Sequence, residues 1–103
     1  MKTAEFNEIA TAMLQHCTDT LIKKADEYAT TDRLHNFKQA AYLQQITPVQ
    51  ALSGMMAKHT ISIYDMISSG EQYPDALWDE KIGDSINYLL LLRALIKDTK
   101  SLA

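Results

Sequence analysis

The chain is poor in the residues that break helices or staple loops. Three Gly and two Pro in 103 residues leave little punctuation for strands and tight turns, and favour long uninterrupted helices. One cysteine, Cys17, excludes an intramolecular disulfide and a cysteine-based zinc site. Its neighbours on a helical stripe are apolar, so it reads as a small core residue. No apolar run approaches the roughly 20 residues of a membrane span, and the N-terminus has no signal-peptide pattern. These two features set the expectation of an intracellular, cytoplasmic protein. Basic residues are not in excess: the net charge is -3, with no basic stripe of the kind that binds nucleic acid directly. There is no Gly-rich phosphate loop and no nucleophile paired with a base. Any phosphate chemistry would have to be metal-assisted attack by water.

What remains is an ordinary globular composition, 47% hydrophobic and 22% charged, enough for one domain. Four helices are expected. Phe6, Ile9, Ala10, Met13, Leu14, Cys17, Leu21, Lys24 and Tyr28 recur at three- and four-residue steps, predicting a helix over about 4–28. His16 lies beside that stripe as a boundary residue. Ala29-Thr30-Thr31-Asp32 interrupts the pattern, and Thr31 or Asp32 can cap a short helix over about 33–44. Thr47-Pro48-Val49-Gln50 has a cap, a proline at the first helical position and a glutamine where a capping box needs one. It opens a helix over about 48–69, with Leu52, Met55, Met56, His59, Ile63, Met66 and Ile67 as its buried stripe and Gly70 as its stop. Asp75 is the expected cap of the fourth helix, over about 76–98, with a polar tail that frays.

The fourth helix holds the chemistry. Its second half is apolar nearly all the way round, which predicts that other helices wrap it. Yet Glu80, Asp84 and Asn87 share one face. Buried polar groups are costly unless something pairs with them. Glu80 and Asp84, one turn apart, repel each other unless a hard divalent cation sits between them; a solvated acidic first turn is the alternative for Glu80. His59 falls on the apolar stripe of the third helix, as a satisfied core histidine or a ligand. Lys58 beside it suits a phosphate as a point charge, or an acid on the surface. Asp32, Arg33 and Asn36 cluster at a helix start, where anions are attracted and Arg33 adds a bidentate donor; the alternative is that Asp32 caps the helix and Arg33 points to water. Asp26 and Glu27 sit at a helix C-terminus, where acids want a compensating cation.

Taken together, Asp32-Arg33-x-x-Asn36-Phe37, Lys58-His59 and Asp84-x-x-Asn87-Tyr88 span most of the chain. In these phrases it resembles a family of small phage and prophage proteins, itself similar to the MazG-like all-α nucleoside triphosphate pyrophosphohydrolases. The resemblance implies an all-α, four-helix, MazG-like bundle that forms a homodimer or tetramer, in the cytoplasm of a bacterial host. It implies Mg²⁺-dependent cleavage of a nucleotide to a monophosphate and pyrophosphate. Asp84 and Glu80 would hold the metal, with His59 and Asp32 as further ligands. Asp84, Glu80 and His59 would carry the catalysis. Arg33, Asn36 and Lys58 would hold phosphates, and Asn87 would orient the nucleotide. The enzyme family has a Glu-x-x-Glu pair on one core helix and a Glu-x-x-Asp pair on the next. Here the second pair is one residue wider, Glu80-x-x-x-Asp84, and Lys58, His59 and Ser62 stand where the first would be. A histidine ligand suits Mn²⁺ better than Mg²⁺. The competing expectation is a non-catalytic helical phage accessory or adaptor protein, a homo-oligomer in which Asp84, His59 and Asn87 form a buried polar network that fixes helix register.

Overall fold

The computed structural model describes residues 1–25, 27 and 32–101. It contains four α-helices and, among the described residues, no strand: α1 (Thr3–Ala25), α2 (His35–Gln44), α3 (Pro48–Ser69) and α4 (Asp75–Ser101). The all-α expectation holds. Asp26, Tyr28 and Thr31 lie outside the described residues.

The helix ends show which local signals governed. At α3 the capping box forms in both directions: the Gln50 amide donates to Thr47 Oγ1 at 3.1 Å, and the Thr47 amide donates to Gln50 Oε1 at 2.9 Å. Gly70 closes α3 at φ 69°, the left-handed region that glycine enters without strain. At α2 the expected start moves. Asp32 Oδ1 accepts the Leu34 amide at 3.0 Å and the Asp32 carbonyl accepts the His35 amide at 3.1 Å. Asp32 therefore caps a turn, and the helix begins two residues later than the pattern suggests. Its C-terminus is closed without glycine. Gln45 takes φ 57°, and the Ile46 amide reaches back to the Ala41 carbonyl at 3.0 Å. Asp75 is the first residue of α4, and the Pro74 carbonyl accepts from Leu77 and Trp78. The tail expected to fray is helical to Ser101.

Backbone packing runs in the order α1–α4–α3–α2, with α1 against α4, α4 against α3 and α3 against α2. Leu34, Phe37, Leu52 and Leu95 form the dry core between α2, α3 and the C-terminal half of α4. Phe37 meets Tyr88 edge-on, with ring centroids 6.5 Å apart. Lys38 bridges Asp32 at 2.7 Å and Asp98 at 2.9 Å, tying the start of α2 to the end of α4. The Asp32 carboxyl is held below its usual range by the hydrogen bond from Lys38, then by the Leu34 amide. The Lys38 ammonium is held above its usual range by Asp32 and then Asp98.

The other end of α4 is built differently. Cys17 is the buried residue of the whole of α1, at 1% exposure. It packs where Gly83 lets the helices come together: a Cβ on Gly83 would lie 3.3 Å from His16 Cδ2 and 3.8 Å from Cys17 Sγ. The Cys17 thiol faces the Gly83 carbonyl at 3.8 Å. Residues 9–16 of α1 line a groove with residues 76–79 of α4, and residues 21–24 line one with residues 84–91, so the two helices run in the same direction. Phe6, Ile9, Leu14 and Ile22 are more than half exposed. The resulting shape is elongated, 46 × 28 × 25 Å, with a radius of gyration of 15.9 Å. A compact chain of this length is expected near ~13 Å.

Candidate functional site

Parallel packing of α1 on α4 puts two columns of polar side chains face to face. On α1 they are His16, Thr20 and Lys24, at successive steps of four. On α4 they are Glu80, Asp84 and Asn87. Together with Ala76 and Gly83 they line a cleft of about 300 Å³. A narrower cavity of about 70 Å³ continues past Lys24, Asp84 and Asn87, and there Arg33 enters from the turn before α2, beside Phe37 and Tyr88. Lys24, Asp84 and Asn87 border both spaces. A third groove, of about 420 Å³, meets the cleft at His16 and Ala76 and is lined by Ile9, Ala12, Met13 and Asp79.

Asp84 borders the cleft and the narrower cavity beside it. Its Oδ2 lies 3.6 Å from His59 Nδ1 of α3, with both side chains partly buried. The His59 ring lies against Tyr88, with centroids 4.8 Å apart at 34°. His59 thus lies against Tyr88 and close to the Asp84 carboxylate. On the α1 side the charge of Asp84 reaches Cys17, whose thiol is pushed up first by burial and then by Asp84. Cys17 is therefore a neutral packing residue, as its stripe implied.

Asn87 carries the strongest local signal. It is 7% exposed, and its Oδ1 is buried with no hydrogen-bond partner. Such a group costs roughly 1–3 kcal/mol when left unsatisfied. Ser85 Oγ has the same status but lines neither cavity. An acceptor oxygen with nothing donating to it, set between a carboxylate and a lysine at the wall of a cleft, is placed to meet a donor or a cation from outside the chain.

The other expected site residues divide. Glu80 is exposed and lines the cleft one turn from Asp84. Asp32 is engaged by Lys38 at the start of α2 and lines neither the cleft nor its extension. Asn36 is exposed and lines neither. Lys58 borders a separate depression with Gln44, Ala51, Gly54 and Met55. Glu27 is exposed, and Asp26 lies outside the described residues. Sequence reasoning set aside His16 as a boundary residue, counted Lys24 in the apolar stripe and passed over Thr20. Their i, i+4, i+8 spacing was visible, but only the position of α4 turns that column into one wall of a cleft.

Among the described residues, no three His, Cys, Asp or Glu side chains gather in a group that could hold a metal ion. The oxygens that fit a hard cation here are those of Glu80, Asp84 and Asn87 Oδ1, with remaining positions left for water or phosphate. The arrangement as a whole pairs cationic donors with hard oxygen acceptors at one narrow place. Set against known protein families, curated proteins and solved structures, the chain matches none.

Proposed function

We propose that the α1–α4 cleft binds the phosphate chain of a nucleotide together with a divalent cation, as in the MazG-like pyrophosphohydrolases whose motifs the sequence resembles. The observation that carries this reading is the convergence of Lys24, Arg33, Asp84 and Asn87 on one small cavity that shares Lys24, Asp84 and Asn87 with the cleft, with Asn87 Oδ1 buried and unpartnered. Lys24 acts as a point charge on phosphate oxygens, and Arg33 as a planar two-pronged donor. Asp84 and Glu80 would hold Mg²⁺ or Mn²⁺, with His59 beside the Asp84 carboxylate. Asn87 Oδ1 would serve as a further oxygen for the cation or accept from the nucleotide. When bound, the cation neutralises phosphate charge and polarises the phosphorus centre. The reaction that suits these residues is addition of water at the α-phosphorus. The α–β anhydride bond breaks, pyrophosphate leaves with the electron pair, and the proton of the water is released. The finer fold assignment, a MazG-like bundle, belongs to this same proposal.

A thermal-shift screen of nucleoside triphosphates with Mg²⁺ or Mn²⁺ tests the reading. Binding at 100-fold over Kd adds about 2.7 kcal/mol, a rise of roughly 10–20 °C for a chain of this size. Asp84→Ala should remove both the shift and any pyrophosphate release while the helical circular dichroism persists. A wild type whose melting is moved by no nucleotide with either metal would overturn it. A second reading is favoured by the His59–Asp84 and His59–Tyr88 contacts: a non-catalytic helical protein in which Asp84 fixes the register of α3 on α4. It predicts that Asp84→Ala chiefly lowers stability.

A further inference from the structure

The cleft shares two of its lining residues, His16 and Ala76, with the groove of about 420 Å³. The two spaces follow one another along the parallel helices. Residues 9–16 of α1 and 76–79 of α4 line the groove, and residues 16–24 and 76–87 line the cleft. The chemistry changes in the same direction. Ile9, Ala12 and Met13 make the α1 wall of the groove apolar, whereas the far end of the cleft carries Lys24. At 1.5 Å per residue, Asp79 and Asn87 are on the order of 12 Å apart along α4, and Met13 and Lys24 on the order of 16 Å along α1. A ligand that reaches from one space into the other is long, apolar at one end and anionic at the other.

Beyond the shared His16, the groove has one ionisable group, the carboxylate of Asp79. It is exposed, and among the described residues no side chain forms an ion pair with it. An ionised carboxylate only accepts hydrogen bonds. It therefore sorts nucleobases by the donors they present side by side. Guanine presents its ring N–H next to its exocyclic amino group, one donor for each carboxylate oxygen. Adenine and cytosine set a ring-nitrogen lone pair beside their amino group, and uracil and thymine flank one N–H with two carbonyls. Each of these turns a lone pair toward the carboxylate. The His16 ring stands at the joint of groove and cleft, against Gly83, with Cδ2 3.3 Å from where a Cβ would be.

We infer that Asp79 makes this site selective for guanine nucleotides, by accepting from the ring N–H and the amino group of a base seated in the apolar groove. The inference rests on the reading of the cleft as a phosphate and cation site. The sugar passes His16, the α–β anhydride reaches the level of Glu80 and Asp84, and the terminal phosphates meet Lys24.

Titration calorimetry on the full chain with Mg²⁺ or Mn²⁺ tests it. The probes are α,β-methylene nucleoside triphosphates, which cannot be cleaved at that bond, and inorganic tripolyphosphate, which occupies the cleft without a base. The guanine nucleotide should bind about tenfold more tightly than those of adenine, cytosine and thymine, with hypoxanthine between because it lacks the amino group. Asp79→Asn should bring guanine to the level of adenine and leave tripolyphosphate unchanged. Tripolyphosphate binding without any preference among bases overturns the inference and leaves the cleft reading standing. So does a guanine preference that survives Asp79→Asn, or an alkyl diphosphate that binds as tightly as the guanine nucleotide. If neither tripolyphosphate nor any nucleotide binds with either metal, the cleft reading falls and the inference with it.

Discussion

The two halves of α4 differ in what they are packed against. Toward the C-terminus, α2 and α3 enclose Leu52 and Leu95 at 0% exposure in a dry core. Toward the N-terminus, α1 meets α4 along one line of contact at Cys17 and Gly83, with a polar cleft on one side and, elsewhere, exposed Leu14, Ile22, Ile82 and Leu89 among exposed Thr18, Asp79 and Arg93. The first half is finished within the protomer. The second is not, and the proposed binding site lies there, because an unsatisfied acceptor needs something from outside the chain.

The contrast is sharpest in substitutions that remove the same kind of side chain from each half. Leu52→Ala should cost about 2–5 kcal/mol in urea denaturation, because the lost contacts come with a cavity that the three-helix core cannot fill. Leu14→Ala, at a side chain 58% exposed, should stay within about 0.5 kcal/mol. Equal costs at the two sites would mean that α1 is as firmly packed as α3.

Gly83→Val should come next, at about 1–3 kcal/mol. The first added carbon already lies 3.3 Å from His16, and a branched side chain forces α1 outward. Hydrogen exchange should show α1 losing protection while α3 keeps it, and the Cys17 thiol should become reactive. Uniform loss of protection across all four helices would erase the division between the halves.

Asn87→Leu separates stability from binding. It removes the unpaired buried oxygen, so the ligand-free protein should gain about 1 kcal/mol or stay neutral. The nucleotide-dependent melting shift should vanish. A marked loss of stability in the ligand-free protein would show that Asn87 serves the fold instead.

The smallest effect belongs to the clamp at the finished end. The Asp32 pKa is lowered in the folded state, so its contribution is present above the unfolded value of about 3.9 and is lost as pH falls through the lower folded value. Lys38→Met should flatten that acid limb slightly. The groups are partly exposed, and high salt should mask the difference. An unchanged acid limb at low salt would show that the clamp adds nothing.

Much of this was legible beforehand, and the reasons are local. Thr47, Pro48, Gln50 and Gly70 bound α3 because caps are short-range hydrogen bonds between neighbouring residues. Asp84 and Asn87 stood out because polar groups on an apolar helix need partners. The start of α2 was misplaced because a side chain that can cap a helix can equally close a turn, and Asp32 does the latter. Ile67 was assigned to the buried stripe of α3, yet it is 63% exposed. Periodicity ranks the faces of a helix but does not say how wide the neighbour is. The same limit applies to α4, expected to be wrapped, which leaves Leu89 and Leu90 uncovered.

The sequence by itself determined the helices, most of their ends and the polar face of α4, since all three depend on residues within a few positions of one another. Tertiary structure decided the rest. Only the approach of α1 at Gly83 sets His16, Thr20 and Lys24 opposite Glu80, Asp84 and Asn87, and only the turn at Asp32 brings Arg33 to the same space. Those groups are between 3 and 71 positions apart in the chain, and no local pattern links them. Their proximity comes from helix packing.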